Sequence, residues 1–349
     1  MGSSLNNYHQ HPSILTNGGV FLFPLMQYIR WNIVSDNVLK QKITIIILLL
    51  LVVTGVRAQQ EPSFAHYWAM EPSFNPAAVG KQSKLNVTGA YAMTLTGFEN
   101  APKTMHFAAD MPFFMMGHYH GVGLQLVNDQ LGLFSHQRLL AQYAFKQPLL
   151  GGVLSIGVQG GVLSEKFRGS GLDLENSNDP AFSKSDVSGV AIDLSAGLYY
   201  THRQWFAGIS ILHATSPSIE LGDRSILDVS STYYLTAGYN IQLRNPLLSI
   251  HPSVLAHTDG TSHRVNMTTR LKYTHEQKMM YAGVGYSPSN SVTALIGGFF
   301  HGITIGYSYE VYTSVLKIGN GSHELFVGYQ TDLNFQKKGR NRHQSVRIL

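Results

Sequence analysis

His106 and Asp110 share one parity in a stretch that alternates polar and apolar residues, as do His251, Ser253, Leu255 and His257 in another. On an extended strand each set would point to one face, where a His beside a carboxylate could move a proton or help hold a metal ion. A metal centre needs three or four convergent ligands with an oriented surrounding shell. His251 and His257 would lie ~20 Å apart along a strand, too far for one ion. His323 and Glu324 are adjacent, so on a strand they face opposite ways and make no direct acid–base pair. His323 reads instead as a hydrogen-bonding residue at a rim. No nucleophile elbow, His-Glu-x-x-His element or P-loop occurs. No catalytic, cofactor or metal site is expected, and the chain is not expected to be an enzyme.

Two other groups of residues invite contact rather than catalysis. Asn75-Pro76, followed by Gly80, is a turn signal ahead of the first alternating segment. It could dock in a lumen or on a rim and meet partners, or it could simply cap the first strand. Lys337, Lys338, Arg340 and Arg342 cluster near the C-terminus. With no aromatic residues interleaved for base stacking, they point to a partner protein or anionic lipid headgroups rather than to nucleic acid.

Composition limits what can carry these residues. Only 13% of the 349 residues are charged, against roughly 25% in a soluble globular domain. Glycine (34), tyrosine (18) and phenylalanine (17) are abundant instead. A soluble surface of this size is normally covered with charge, whereas a wall that faces lipid and ends in aromatic girdles is not. Cysteine is absent, which removes disulfides, thiolate metal sites and a lipoprotein anchor.

The N-terminal region has a different character. Lys40 and Lys42 precede the apolar run Ile43–Val53, and Ala58 follows shortly after. That order describes a secretory signal peptide, and the run is short for a membrane-spanning helix. Cleavage is expected after Ala58, with Met26 rather than Met1 as the expected translation start. Of the charged residues from Gln59 onward, 21 are basic and 19 acidic, so most of the formal +5 belongs to the leader.

Beyond the leader, alternating segments of about ten residues are separated by Gly, Pro, Asn, Asp and Ser. In Gly302–Glu310, Ile303, Ile305, Tyr307 and Tyr309 share one parity, and Thr304, Gly306, Ser308 and Glu310 the other. One apolar face and one polar or small face suit a wall between lipid and an aqueous lumen. The same pattern marks Leu85–Gly97, Lys103–Met111, Tyr119–Val127, Arg138–Phe145, Val153–Glu165, Ala191–Tyr200 and Gln204–His213. It recurs in Tyr233–Leu243, Leu248–His257, Val265–Thr274, Met279–Tyr286, Val292–Phe299 and Ser322–Tyr329. The expected fold is therefore all-β: a transmembrane antiparallel β-barrel of about 14 strands, preceded by a cleaved signal peptide. Arg168–Val190 and Ala214–Thr232 are expected as long loops between strands. The expected organisation is 1–58 as N-terminal extension and signal peptide, 59–83 as a periplasmic or plug segment, 84–335 as barrel and 336–349 as a basic periplasmic tail. An even strand count places both termini in the periplasm.

Several short motifs, in order, carry a family resemblance. Glu71-Pro72-Ser73-Phe74-Asn75-Pro76-Ala77-Ala78-Val79-Gly80 is followed by Gly97-Phe98 and Ala101-Pro102-Lys103-Thr104. Ala196-Gly197-Leu198-Tyr199-Tyr200, Trp205-Phe206-Ala207-Gly208, Gly306-Tyr307-Ser308-Tyr309-Glu310 and Gly321-Ser322-His323-Glu324-Leu325 come later. The whole resembles the PorP/SprF family of type IX secretion system membrane proteins. Val79 stands where that family favours an aromatic residue, Leu95-Thr96 replaces its Trp, and Glu310 replaces its Asp. The resemblance implies an outer-membrane component that supports export or surface attachment of secreted proteins or gliding adhesins by scaffolding. Its implied partners are outer-membrane lipid, periplasmic ring proteins and the secreted surface proteins or adhesins. The alternative reading is an outer-membrane barrel transporting hydrophobic solutes, similar to the fatty-acid transporters, which would need an apolar pocket under a lumen plug.

Overall fold

The computed structural model describes residues 61–171, 186–222, 225–313 and 319–333. The expected leader and the basic tail with Lys337, Lys338, Arg340 and Arg342 lie outside the described residues.

Alternation becomes strand at every segment where it occurs. The first seven strands are β1 (Lys84–Met93), β2 (Lys103–Met115), β3 (His118–Leu131), β4 (Phe134–Leu149), β5 (Gly152–Phe167), β6 (Val187–Thr201) and β7 (Trp205–Leu212). A small hairpin follows, β8 (Ser218–Leu221) with β9 (Ser225–Asp228), and then β10 (Thr232–Tyr239) and the two-residue β11 (Ile241–Gln242). The chain continues with β12 (Leu248–Thr258), β13 (His263–His275), β14 (Lys278–Ser287), β15 (Ser291–Phe300), β16 (Ile303–Tyr312) and β17 (Ser322–Asp332).

Successive wall strands pair antiparallel, and β1 pairs with β17, from Lys84 opposite Asp332 to Met93 opposite His323. With β10 paired to both β7 and β12, the sheet closes on itself. The result is a closed antiparallel barrel of fourteen strands, in which β11 continues β10 along β12 in the same register. Closure gives every wall strand a partner on both sides over part of its length, which reduces the unpaired N–H and C=O groups that hydrocarbon cannot hydrate; residues 187–195 of β6 extend beyond the register with β7.

The two parities separate as a lipid-facing wall requires. Leu124, Leu139, Ile156, Ile192, Leu235 and Ile296 point outward and are exposed. Gln125, Gln142, Gln159, Ser195, Thr236 and Thr268 are buried on the inside. The end at which β1 begins and β17 finishes is called the near end. Around it stand exposed Phe114, Tyr119, Trp205, Tyr239, Tyr273 and Phe300, the girdle expected at a membrane interface.

Connections differ between the two ends. Near-end turns are short, with two residues between β2 and β3, β4 and β5, β13 and β14, and β15 and β16. At the far end β5 and β6 are separated by 168–186, and β7 and β10 by 213–231. The second of these is more than a loop: β8 and β9 pair within it. Ile219 and Leu221 of that hairpin pack on the inward-facing Leu163 of β5.

The chain ahead of β1 lies inside the barrel. It forms three single-turn 3-10 helices, Tyr67–Ala69, Glu71–Ser73 and Pro76–Ala78. Proline at the first or second position of the latter two supplies a suitable φ where no N–H bond is needed. Phe64, Tyr67, Met70, Phe74, Ala77, Ala78 and Val79 are buried, so this plug and the inner wall share the hydrophobic core.

Candidate functional site: the lumen plug and the near-end vestibule

The plug runs the length of the lumen, and its wall contacts can be followed from the far end. Glu61 meets Arg138 near the start of β4 at 2.7 Å and His213, just beyond β7, at 2.8 Å. His213 also lies 3.1 Å from the fully buried Asp193. Burial by itself would raise the Glu61 carboxyl, but Arg138 and His213 together hold it below the usual carboxylate range. Burial works against charge on His213 too, yet Glu61 and Asp193 outweigh it and push its pKa up to about 9. Ser63 accepts a hydrogen bond from the Asn266 side chain.

One carboxylate anchors the next part. Glu324 Oε2 accepts from the Ala65 N–H at 2.6 Å, and Oε1 accepts from the His66 N–H at 3.0 Å and contacts His66 Nδ1 at 2.6 Å. The His66 ring stacks on Phe326, two residues along the same inward face. Tyr67 and Ser253 share a hydroxyl–hydroxyl bond at 2.9 Å.

The Asn75 region is the tightest contact. The Asn75 side chain accepts from the Ala77 N–H at 3.0 Å, capping the third 3-10 turn. Its amide nitrogen donates to the wall carbonyls of Leu198 and Ile209. A Cβ on Gly197 would stand 2.2 Å from Asn75 Oδ1, so the wall is bare there to admit the side chain. Gln142 donates to Pro72 O, and Ser210 to Phe74 O.

Gly80 ends the plug and turns the chain into β1. Its φ is +60°, and a Cβ would lie 2.9 Å from Met111 O and from Gly121 Cα, so both conformation and space demand glycine. Its N–H donates to Asp110 at 2.7 Å. Lys81 then pairs with Glu71 at 2.7 Å, and both bond the Tyr199 hydroxyl.

Below the plug the near end opens into a cavity of about 530 Å³. Trp68, Glu71, Lys81, Asp110, Arg270 and Lys272 are among its lining residues. The guanidinium of Arg270 lies over the Trp68 ring, 3.7 Å from its centroid, and Lys272 Nζ is 5.9 Å from the same centroid.

Asn75, Pro76 and Gly80 thus come together between plug and wall, all buried, and the cap foreseen for Asn75 closes a 3-10 turn rather than β1. His106 and Asp110 do face inward together, but Asp110 is engaged by Gly80 and Asn86. Among the described residues no three His, Asp or Glu side chains gather for a metal ion. His323 contacts the Tyr307 hydroxyl on the outer face, and Glu324 points in. The residues that sequence reasoning passed over are Glu61, Arg138, His213 and Arg270, and it reads Glu324 only as facing away from His323. For Arg138, Arg270 and Glu324 the available signal was a charge on the polar parity of a membrane strand, which needs a partner inside the barrel.

Residues 56–329 match the family described as "Type IX secretion system membrane protein PorP/SprF". No curated protein matches the sequence. Among solved structures, the "CymD monoaromatic hydrocarbon channel" aligns at 11% identity and TM-score 0.47, covering 80% of this chain and 95% of that one. The Pseudomonas putida toluene transporter TodX aligns at 10% identity and TM-score 0.43, covering 78% and 95%. A FadL homologue of Pseudomonas aeruginosa aligns at 12% identity and TM-score 0.41, covering 74% and 92%.

Proposed function

This chain belongs to the PorP/SprF family of type IX secretion system membrane proteins, and from that premise we propose that it acts as a scaffold in the outer membrane, presenting a different surface at each mouth. The near end lies in the periplasm and meets ring components of the secretion machine. The far end lies outside and meets exported surface proteins or gliding adhesins. The observation that carries this reading is the filled lumen. A plug bonded to the wall from Glu61 to Lys81 leaves the two mouths, not a conduit, as the working surfaces.

The difference between the ends supports the orientation, since short turns face the periplasm and long loops the exterior in bacterial barrels. The last strand, β17, finishes at the near end, and Lys337, Lys338, Arg340 and Arg342, which follow it in the sequence, are taken to meet a periplasmic partner or anionic headgroups. Asn75, Pro76 and Gly80 serve the partners indirectly, by fixing the plug. Transport of hydrophobic solutes would call for an apolar pocket beneath the plug. The cavity there carries Lys81, Arg270, Lys272, Glu71 and Asp110.

The test is a deletion strain examined for secreted and surface-displayed proteins, together with crosslinking and pull-down from envelopes. Export or display of at least one class of surface protein is expected to fail, and periplasmic components are expected among the crosslinked species. A deletion strain with an unchanged surface and secretome would overturn the reading.

A further inference from the structure

Four cations and two carboxylates line the near-end cavity: Lys81, Lys84, Arg270, Lys272, Glu71 and Asp110. Local partners account for most of them. Lys81 pairs with Glu71 at 2.7 Å, Lys84 approaches Asp332 at 3.5 Å, and Asp110 accepts from Gly80 and Asn86. Arg270 and Lys272 are left over: among the described residues neither has a carboxylate within ion-pair distance or a hydrogen-bond acceptor.

Arg270 is the more telling of the two. The residue is 4% exposed, and its Nε is buried without an acceptor. The guanidinium lies over the Trp68 indole, 3.7 Å from the ring centroid, a contact that restrains the side chain before any ligand arrives. Lys272 is two residues along the same strand and so on the same face. Opposite Arg270 stands His251, whose ring nitrogens are already engaged by Ser249 and Asn240. An unpaired buried cation is costly, so one kept beside a second cation in an open cavity points to an anion as the missing partner.

We propose that this cavity receives an acidic polypeptide segment of a periplasmic partner, with one carboxylate held bidentately by Arg270 on its Trp68 platform and a second drawn by Lys272. The inference deepens the scaffold reading and rests on it for the nature of the occupant. Charge complementarity selects the occupant, because a planar guanidinium matches a carboxylate and an extended acidic strand supplies a second one nearby. The chain's own C-terminal sequence repeats the charge of the site, with Lys337, Lys338, Arg340, Arg342 and Arg347, and so does not complement it.

The protein, reconstituted in nanodiscs, is titrated with a fluorescent decapeptide of alternating Glu and Gly, with its Gln counterpart, and with citrate. Salt-sensitive binding of the Glu peptide is expected, with little binding of the Gln peptide. The R270Q/K272Q double variant should bind the Glu peptide at least about tenfold more weakly, and the charge-conserving R270K/K272R variant should recover part of the loss. Thermal stability of R270Q/K272Q should match or exceed that of the native chain, since the double variant removes unpaired charges. Absence of Glu-peptide binding, equal binding by the double variant, or tight binding of citrate without the peptide would overturn the proposal. In cells, R270Q/K272Q is compared with the deletion. If the deletion impairs export and the double variant does not, the acidic-segment inference falls while the scaffold reading stands. If the deletion itself changes nothing, the scaffold reading falls.

Discussion

Single side chains inside the lumen tie the plug to the wall, and the loss of each has a calculable direction. Replacing Glu324 by Ala leaves the Ala65 and His66 N–H groups and the His66 ring without their acceptor. Removing one partner from such a buried set costs about 3 kcal/mol. The expected result is a lower unfolding midpoint in detergent and new proteolytic cleavage within residues 61–83. Gly197→Val places a side chain where Asn75 sits. Overpacking costs about 1–3 kcal/mol, and the same protease assay should show a released plug while the barrel remains folded. The Glu61–His213 contact is sensitive to pH. His213 ordinarily titrates near 6.5 and is raised to about 9 here. Its contribution is therefore fully present below about 6.5 and lost as pH rises through about 9. Glu61 is held below the usual carboxylate range, so its contribution is present above the ordinary carboxylate pKa and lost only as pH falls below that range. The far end of the plug should be tightest between the ordinary carboxylate pKa and about pH 6.5 and loosen progressively as pH rises from about 6.5 through about 9, as read by the unfolding midpoint of native protein against His213→Gln. The sequence displayed Asn75, Pro76 and Gly80 because turn chemistry is local. It hid Glu61, Arg138 and Glu324 as a set, because a pairing between residues far apart in the chain has no local pattern.

At the scale of elements, the period of two was the legible quantity. All fourteen alternating segments are wall strands, and the segment read as Gly302–Glu310 is β16 at Ile303–Tyr312. Strands β4 and β5 run well past the expected Arg138–Phe145 and Val153–Glu165, reaching Phe134–Leu149 and Gly152–Phe167. Their two-residue far- and near-end turns let pairing continue to the turn itself. The hairpin β8–β9 was read only as loop. Its strands are four residues each, too short for alternation to stand out, and Ile219 gains its burial from Leu163 of β5. The division of faces makes a direct prediction. Ile296, midway along β15, is exposed on the outer surface. Ile296→Arg should cost about 2–4 kcal/mol of stability in a bilayer and far less in a detergent that adapts around the charge. Equal effects in the two media would argue that this face does not meet hydrocarbon.

For the whole molecule, the even strand count sets β1's start beside β17's end, while the plug carries the chain away from that shared rim. Glu61 lies beside Arg138 and His213 at the far end, and Lys84 lies opposite Asp332 at the near end. The two strand ends share one rim, as an even count requires, whereas residue 61 stands toward the other mouth. Threading of this kind was not legible in the sequence, because residues 61–83 alternate in no regular period and take their place from the wall. The central claim is a barrel through the outer membrane with the near end inside. A chain without cysteine permits a clean test with a membrane-impermeant maleimide on single-cysteine variants. Glu220→Cys lies in the far-end hairpin, and Gln277→Cys lies in the near-end turn between β13 and β14. The account predicts that Glu220→Cys labels on intact cells and that Gln277→Cys labels only after the outer membrane is permeabilised. Labelling of Gln277→Cys on intact cells, with Glu220→Cys protected, would contradict it.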